Sequence, residues 1–358
     1  MRHHLRLAVL GDLLFTHPPG QIDNCRGLEA LTDELRQLLR SCDLVVANLE
    51  CTLPGSPQVA TEPRVFANPR QINSLTNAGI HVVSLANNHA FDGGDEGFNR
   101  LTAQLGALGI SHCGAGANRL QASAPLLLEC KGLRLAVLAA VADSSGMYRF
   151  ASAVSSGVAH LEPHRICRQI AALRQLNYQV LVLPHWGEER CRWPSPQQVE
   201  QAQAFIRAGA CLVAGHHPHV IQGLCRQAGG LIVYSLGNAL ANPVYWDSGD
   251  SLRWSRFERT GGLLLTELSS EGVTSFQQLA LLDDGRHLGI DHSWRGRHAL
   301  QRANRFLRGA SSPSRYRLEL FRVRALLPLL GQLRWHRLRR LRPEHLRKAL
   351  HLISRGLS

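Results

Sequence analysis

Three imidazoles within four residues stand at Gly215-His216-His217-Pro218-His219, directly after the apolar run Cys211-Leu212-Val213-Ala214. A short apolar run ending in Gly reads as a buried strand of a mainly parallel sheet, and such strands deliver functional side chains at their carboxyl ends. A lone His there is usually a satisfied polar group. Three on one strand-to-loop turn lack a good packing explanation, and His217 and His219 can converge on one ion if the turn at Pro218 folds them together. Polar groups close other apolar runs in the same way. Gly11-Asp12 follows Leu5–Leu10, Asn48-Leu49-Glu50 follows Leu44–Ala47, and Asn87-Asn88-His89 with Asp92 follows His81–Leu85. His185-Trp186-Gly187-Glu188-Glu189 follows Val180–Leu183, and Ser235-Leu236-Gly237-Asn238 follows Leu231–Tyr234. A turn Asp or Asn is common past any strand; the repetition is the signal. Carboxylate, carboxamide oxygen and imidazole together are hard-to-borderline donors suited to Mn²⁺, Fe or Zn²⁺, with enough groups for two ions and no thiolate among them. Two divalent ions about 4 Å apart would hold an oxyanion and supply a hydroxide near neutral pH, so phosphoester hydrolysis follows most simply.

The elements that must position these groups alternate. Helical spacing is predicted over Leu28–Arg40, near Gln71–Ala78, and over Asp95–Leu108, Glu162–Leu176 and Pro196–Ala208, between the strands named above. Leu126–Leu128 and Leu133–Val141 read as a hairpin-type pair around Lys131-Gly132, and Leu263–Leu268 with Val273–Leu281 as two closing antiparallel strands. Strand and helix in alternation predict an α/β fold, its sheets sandwiched by helices. Periodicity fades from Asp283 to Arg297, placing a boundary there: a body over residues 1–285 and a basic, largely helical extension over 286–358. In the extension Leu318, Phe321, Ala325, Leu326, Leu329, Leu330 and Leu333 recur at helical spacing, interrupted by Pro328. A basic run, Arg334 to Arg342, follows.

The charge is as unevenly placed as the chemistry. Of a formal +13 over 358 residues, the segment from Arg295 to Ser358 carries sixteen Arg and Lys348 against Glu319 and Glu344, a net +15, so the rest is about −2. A helix with such a cationic face can pack on the body, lie on anionic lipid, or meet an acidic polymer. No run of 18 apolar residues predicts a membrane span, and the start of the chain shows no signal-peptide pattern, so the expectation is a cytoplasmic protein, peripheral at the inner face of the membrane if the tail meets lipid. Nine scattered cysteines without a CxxC pair argue against a disulfide framework and a Cys-ligated zinc site, and read as small buried hydrophobes.

In their order along the chain, Gly11-Asp12, Asn48-Leu49-Glu50, Ser84 to His89 with Asp92 and Gly94, His185-Trp186-Gly187-Glu188, Gly215 to His219, and Ser235 to Asn238 resemble the CapA family. These are capsule-synthesis proteins named for poly-γ-glutamate capsule production, and they resemble the calcineurin-like metallophosphoesterases. The resemblance spans about Leu7 to Leu281 and implies a four-layer α-β-β-α metallophosphatase-like sandwich. It implies Asp12, Glu50, Asn88, His185, His217 and His219 as ligands of divalent ions, with Glu50 bridging. His89 would be the general acid or a hydrogen-bond donor to phosphate. Asn48, Asn87, Asp92, Glu188, His216 and Asn238 would support the ligands or the substrate. The pattern departs from the phosphoesterases at Leu14, where they carry a His, and at Asn48 and Glu50, where they carry Asp. Ala239 replaces the aromatic residue that the CapA pattern has after Ser-Leu-Gly-Asn.

The leading reading is a metal-dependent hydrolase acting on a phosphoester or acidic-polymer intermediate of capsule or surface-polymer production. The second is a non-catalytic metal-binding protein that assembles or binds polymer at the membrane, discriminated by the basic tail. A nuclease ranks third: two-metal sites also cut phosphodiesters, and nucleic acid is the least favoured partner.

Overall fold

The computed structural model describes residues 4–18, 25–56, 62–147, 149–308 and 312–332. Its central strand segments, Leu44–Leu49, Val82–Ser84 and Gln179–His185 among them, are mostly apolar and buried along their length, as expected of strands covered on both faces. Strands β1 (Leu5–Leu14), β2 (Leu44–Leu49), β3 (Val82–Ser84) and β4 (Ser111–Cys113) lay down one sheet in parallel. Six later strands build a second sheet: β5 (Leu126–Cys130), β6 (Leu133–Val141), β7 (Gln179–His185), β8 (Leu212–Ala214), β9 (Leu224–Gln227) and β10 (Gly230–Val233). The chain then returns to the first sheet through β11 (Asn238–Ala241), β12 (Thr260–Ser269), β13 (Gly272–Asp283) and β14 (Leu288–Ile290). Strand orders are β14-β13-β12-β1-β2-β3-β4, with β11 also on β1, and β9-β10-β8-β7-β6-β5.

Side-chain parity in the second sheet separates two cores. Leu181 and Leu183 of β7 join Leu135, Val137, Leu212 and Ala214 in the core shared with the first sheet. Val180 and Val182 face the other way, onto Ile166, Ile170 and Leu173 of α4 (Pro163–Gln175) and Ala202, Phe205 and Ile206 of α5 (Pro196–Arg207). The first sheet packs against α1 (Asp33–Arg40), α2 (Pro69–Asn73) and α3 (Gly94–Ala107), whose apolar stripes include Leu35, Leu39, Phe98, Leu101 and Leu105. The result is an α-β-β-α sandwich. Helix starts follow local chemistry: Ser195 and Gln198 form a capping box before α5 with Pro196 in its first turn, as Asn68 and Gln71 do before α2.

Several boundaries differ from expectation. Gly11-Asp12 does not end the first strand, because β11 adds a parallel partner beyond it, pairing Leu13 with Leu240 and Leu14 with Ala241. The predicted helix over Leu28–Arg40 is a 3₁₀ turn, Leu28–Ala30, and then α1, because Thr32 caps the helix by accepting from the Leu35 N–H. Pro328 does not interrupt the C-terminal helix. Helix α6 (Trp294–Leu307) is followed by α7 (Pro313–Phe321), a π turn (Arg322–Leu326) and α8 (Leu327–Gln332). Pro328 cannot donate to the carbonyl four residues back, and the widened turn before it accommodates the missing bond. Leu333 and the run Arg334 to Arg342 lie outside the described residues. Of the nine cysteines, Cys42, Cys51, Cys113, Cys191 and Cys211 are buried. Among the described residues no helix is long and apolar enough to cross a membrane.

Candidate metal centre

Parallel strands bring their carboxyl ends to one side, and here two sheets do so face to face. In the first sheet Asp12 pairs in register with Asn48 on one side and Asn238 on the other, and Asn48 with Ser84. In the second, Val141 pairs with His185, and His185 bridges to His216. Gly11 and Gly215 sit just before Asp12 and His216. A Cβ at Gly11 would lie 1.9 Å from the Gly237 carbonyl oxygen, and one at Gly215 would lie 2.1 Å from that of Tyr234. Glycine is required there by close backbone approach.

The donors form three overlapping groups whose candidate atoms lie within 4.8 Å of one another: Asp12, Glu50 and His219; Glu50, His185 and His217; and Glu189, His217 and His219. Asn48 Nδ2 donates to Asp12 Oδ1 (2.8 Å) and Glu50 Oε2 (3.3 Å), and Asn87 Nδ2 holds Asn48 Oδ1 (3.3 Å) and the Leu49 carbonyl (2.8 Å). His219 Nδ1 stands 2.9 Å from Asn238 Oδ1 and 3.3 Å from Asp12 Oδ2. His185 Nε2 lies 2.8 Å from Asn88 Oδ1 and 3.6 Å from Glu50 Oε1. Two buried atoms inside this cluster have no hydrogen-bond partner: Glu50 Oε1 and His217 Nδ1. Orphaned buried polar atoms are costly and uncommon, and these two residues share a single donor group with His185. His217 and His219 also hold left-handed backbones, φ 94° and 56°, strain that tends to persist at functional sites. Unmatched buried polar atoms, histidines on left-handed backbone and no thiolate fit a divalent cation of the Mn²⁺, Fe or Zn²⁺ class. Burial pushes the neighbouring Cys51 thiol up, away from the thiolate form that would compete.

The protonation pattern fits the same reading. Burial pushes Glu50 up to about 8, against the pull of His219. Burial would lower His219, but Glu50 and Asp12 outweigh it and raise it to about 10. Asp12 and His219 form the ionised pair, and Glu50, penalised by burial, gives up its proton reluctantly. Asp12 accords with this: burial would raise it, but hydrogen bonding to His219 holds it below the usual carboxylate range. Burial pushes His217 down to about 4 and His185 well down, leaving both imidazoles neutral.

At the mouth, His89 is half-buried and its Nδ1–H donates to Asp92 Oδ2 (2.8 Å), which also accepts from the Val65 N–H (2.7 Å). Burial would lower His89, and Asp92 raises it overall. Two of the expected residues make their hydrogen bonds outside the three donor groups. His216 Nε2 donates to the Leu10 carbonyl (3.2 Å), tying one sheet to the other. Glu188 is bound by Arg324, with Nε–Oε1 at 3.0 Å and Nη2–Oε2 at 2.7 Å. Its neighbour Glu189 stands at the cluster instead; two adjacent Glu residues after Gly187 gave no means of choosing before the loop's path was known. Trp254 was also missed: its ring packs on His219 with centroids 5.1 Å apart, an aromatic wall supplied from outside the position where Ala239 lacks one.

The motifs that converge on this site recur in known proteins. The model of the bacterial capsule synthesis protein PGA_cap family matches residues 6–243. The capsule biosynthesis protein CapA of Bacillus anthracis is 27% identical over 256 residues, covering 69% of this chain and 62% of that protein. The PGA biosynthesis protein CapA of Bacillus subtilis is 26% identical over 277 residues, covering 76% and 70%. The chain thus spans about two thirds of the length of the relatives it matches. Among solved structures, a 5'-nucleotidase precursor from Thermus thermophilus aligns with a TM-score of 0.46 at 15% identity, over 84% of this chain and 58% of that one. The NAD nucleotidase of Haemophilus influenzae aligns with a TM-score of 0.46 at 12% identity, over 90% and 61%. With its motifs gathered on one rim of the sandwich and the family match running through all of them, the chain belongs to the bacterial capsule synthesis protein PGA_cap family.

Proposed function

We propose that this protein is a metal-dependent hydrolase of the phosphoesterase kind, acting on a phosphoester or acidic-polymer intermediate in the production of poly-γ-glutamate capsule or surface polysaccharide. The observation that carries the reading is the pair of orphaned buried atoms, Glu50 Oε1 and His217 Nδ1, within one group of donors. Asp12, Glu50, Asn88, His185, His217 and His219 would hold the ions, two by the number of donors. Such ions supply Lewis acidity toward a phosphoryl oxygen and a water acidified to near neutral pH. The chain's own residues do the rest. Asn48, itself held by Asn87, fixes the carboxylates of Asp12 and Glu50. Asn238 orients His219. Asp92 holds His89 protonated at Nδ1, leaving Nε2 to give a proton to a leaving oxygen or to bind a phosphoryl oxygen.

Elemental analysis of protein purified without added metal, beside Asp12→Ala and His217→Ala, tests the site, and turnover of a generic phosphoester with Mn²⁺ tests the reaction. Metal that stays bound in His217→Ala, with no turnover in either protein, would end the hydrolase reading.

A second reading is favoured by the surface of the C-terminal helices. Leu318 and Leu326 are 71% and 42% exposed beside the exposed Arg315, Arg317 and Arg324, a mixture suited to an anionic membrane surface or a polyanion such as poly-γ-glutamate. Replacing Arg315 and Arg317 by Glu, which leaves Glu319, Arg322 and Arg324 in place to dock the helix, should release the protein from anionic liposomes while phosphoester turnover survives. Unchanged liposome binding in that double variant counts against these helices as the contact.

A further inference from the structure

The loop from Trp186 to Trp193 leaves β7 directly after His185, and neighbouring residues along it face different ways. Glu189 brings a carboxylate oxygen within 4.8 Å of donor atoms on His217 and His219, at the solvent side of the cluster. The residues flanking it are taken up by the C-terminal helix and its surroundings. Arg324 grips Glu188 through both carboxylate oxygens, and Arg322 Nη2 donates to the Arg190 carbonyl at 2.7 Å. Glu319, 4% exposed, accepts from the Arg192 N–H (2.9 Å), Nε (2.9 Å) and Nη2 (2.7 Å). Arg322 closes on the same carboxylate through Nε at 2.8 Å and Nη2 at 2.6 Å. From the other side, the Arg190 N–H donates to the Pro218 carbonyl at 2.8 Å, between His217 and His219, and its guanidinium pairs with Glu258 at 2.7 Å.

A buried carboxylate between two guanidiniums is costly unless every oxygen is satisfied, and here both are, with the directional pairing that fixes geometry as well as energy. All three gripping residues, Glu319, Arg322 and Arg324, lie beyond residue 243, where the family match ends. We propose that Glu189 is a further carboxylate of the metal-holding site, and that the C-terminal helix is a strut that sets its reach by holding Glu188, Arg190 and Arg192. The inference rests on the reading of the cluster as a metal centre given above. Glu189 is the solvent-facing carboxylate of that centre, where Asp12 and Glu50 are its buried ones. Glu319, Arg322 and Arg324 are positioning residues, acting through the loop.

The test is Mn²⁺ titration calorimetry with elemental analysis on the full chain. The set is wild type, Glu189→Gln, Glu319→Gln, the single variants Glu188→Arg and Arg324→Glu, and the double variant that reverses the pair. Glu189→Gln should weaken Mn²⁺ binding roughly 10- to 100-fold, and Glu319→Gln by up to about 10-fold, the range seen when groups that orient ligands are lost. Each single variant of the exposed pair should weaken binding by a few-fold, on the order of 3, and the reversed pair should restore it, which a merely structural defect would not do. A surface pair adds little to stability, so these variants keep the strut testable even if Glu319→Gln fails to fold. Wild-type affinity and stoichiometry in Glu189→Gln overturns the carboxylate's role; failure of the reversed pair to restore binding overturns the strut. A wild-type chain that takes up no Mn²⁺ removes both the metal centre and this inference, an outcome the first set of results cannot mimic.

Discussion

Glu50 is a carboxylate that holds its proton up to about 8 because burial penalises its charge. A cation entering the cluster must displace that proton and the one His219 carries, so binding should tighten as pH rises from about 6 to 8 and release protons. Calorimetry in buffers of different ionisation enthalpy measures the release directly; binding that is independent of pH over this range would mean that neither Glu50 nor His219 is a ligand. His89 makes the opposite kind of case. Asp92 raises it, so Asp92→Asn should lower the pH at which the imidazole loses its proton. The alkaline limb of kcat for phosphoester turnover then moves to lower pH with KM little changed. An unmoved limb assigns the proton to another group.

At the scale of elements, the glycine before Asp12 decides whether two strands can meet at all. Gly11→Ala puts a methyl 1.9 Å from the Gly237 carbonyl, whose bond from the Asp12 N–H is 2.9 Å long. Neither backbone can yield without separating β1 from β11, so the variant should lose roughly 3 kcal/mol or more and its metal with it, read by urea unfolding and elemental analysis. Gly106→Ala is the matched control. It lies on the exposed side of α3, near its end, with nothing within 4 Å of the added carbon, and should gain about 0.5–1 kcal/mol by favouring helix. If both variants behave alike, the close approach at Gly11 has no energetic meaning.

For the molecule as a whole, the docking of α7 couples acid stability to the site. Burial would raise Glu319, but Arg192 and Arg322 hold it down to about 2, against an ordinary 4.5. A depressed carboxylate contributes stability present above its ordinary value and lost as pH falls through the lowered one. The shift corresponds to roughly 3 kcal/mol at most, reduced by the partial exposure of the guanidiniums. Glu319→Gln should therefore be destabilised at pH 7 by about 2 kcal/mol, and the gap from wild type should close between pH 4.5 and 2. A gap that persists at pH 2 would show that packing, and not the ion pairs, fastens the helix.

What the sequence by itself determined was the set of parts. Apolar runs such as Val180–Leu183 specify buried strands because no other element conceals four branched or apolar side chains so briefly, and polar groups at their ends are conspicuous for the same reason. Asp12, Asn48, Asn87, His185, His217 and His219 were legible on that ground, and the order of their motifs carried the family and the sandwich. Only the tertiary structure decided how the parts meet. Asp12 lies within a strand between Asn48 and Asn238 because sheet register depends on partners 36 and 226 residues away, which local propensity does not encode. The choice of Glu189 over Glu188 depended on which way one loop faces, and Arg324 and Glu319 settle that from the far end of the chain. Trp254 against His219 and His216 against Leu10 are likewise contacts between segments that the sequence keeps apart, fixed by long-range packing.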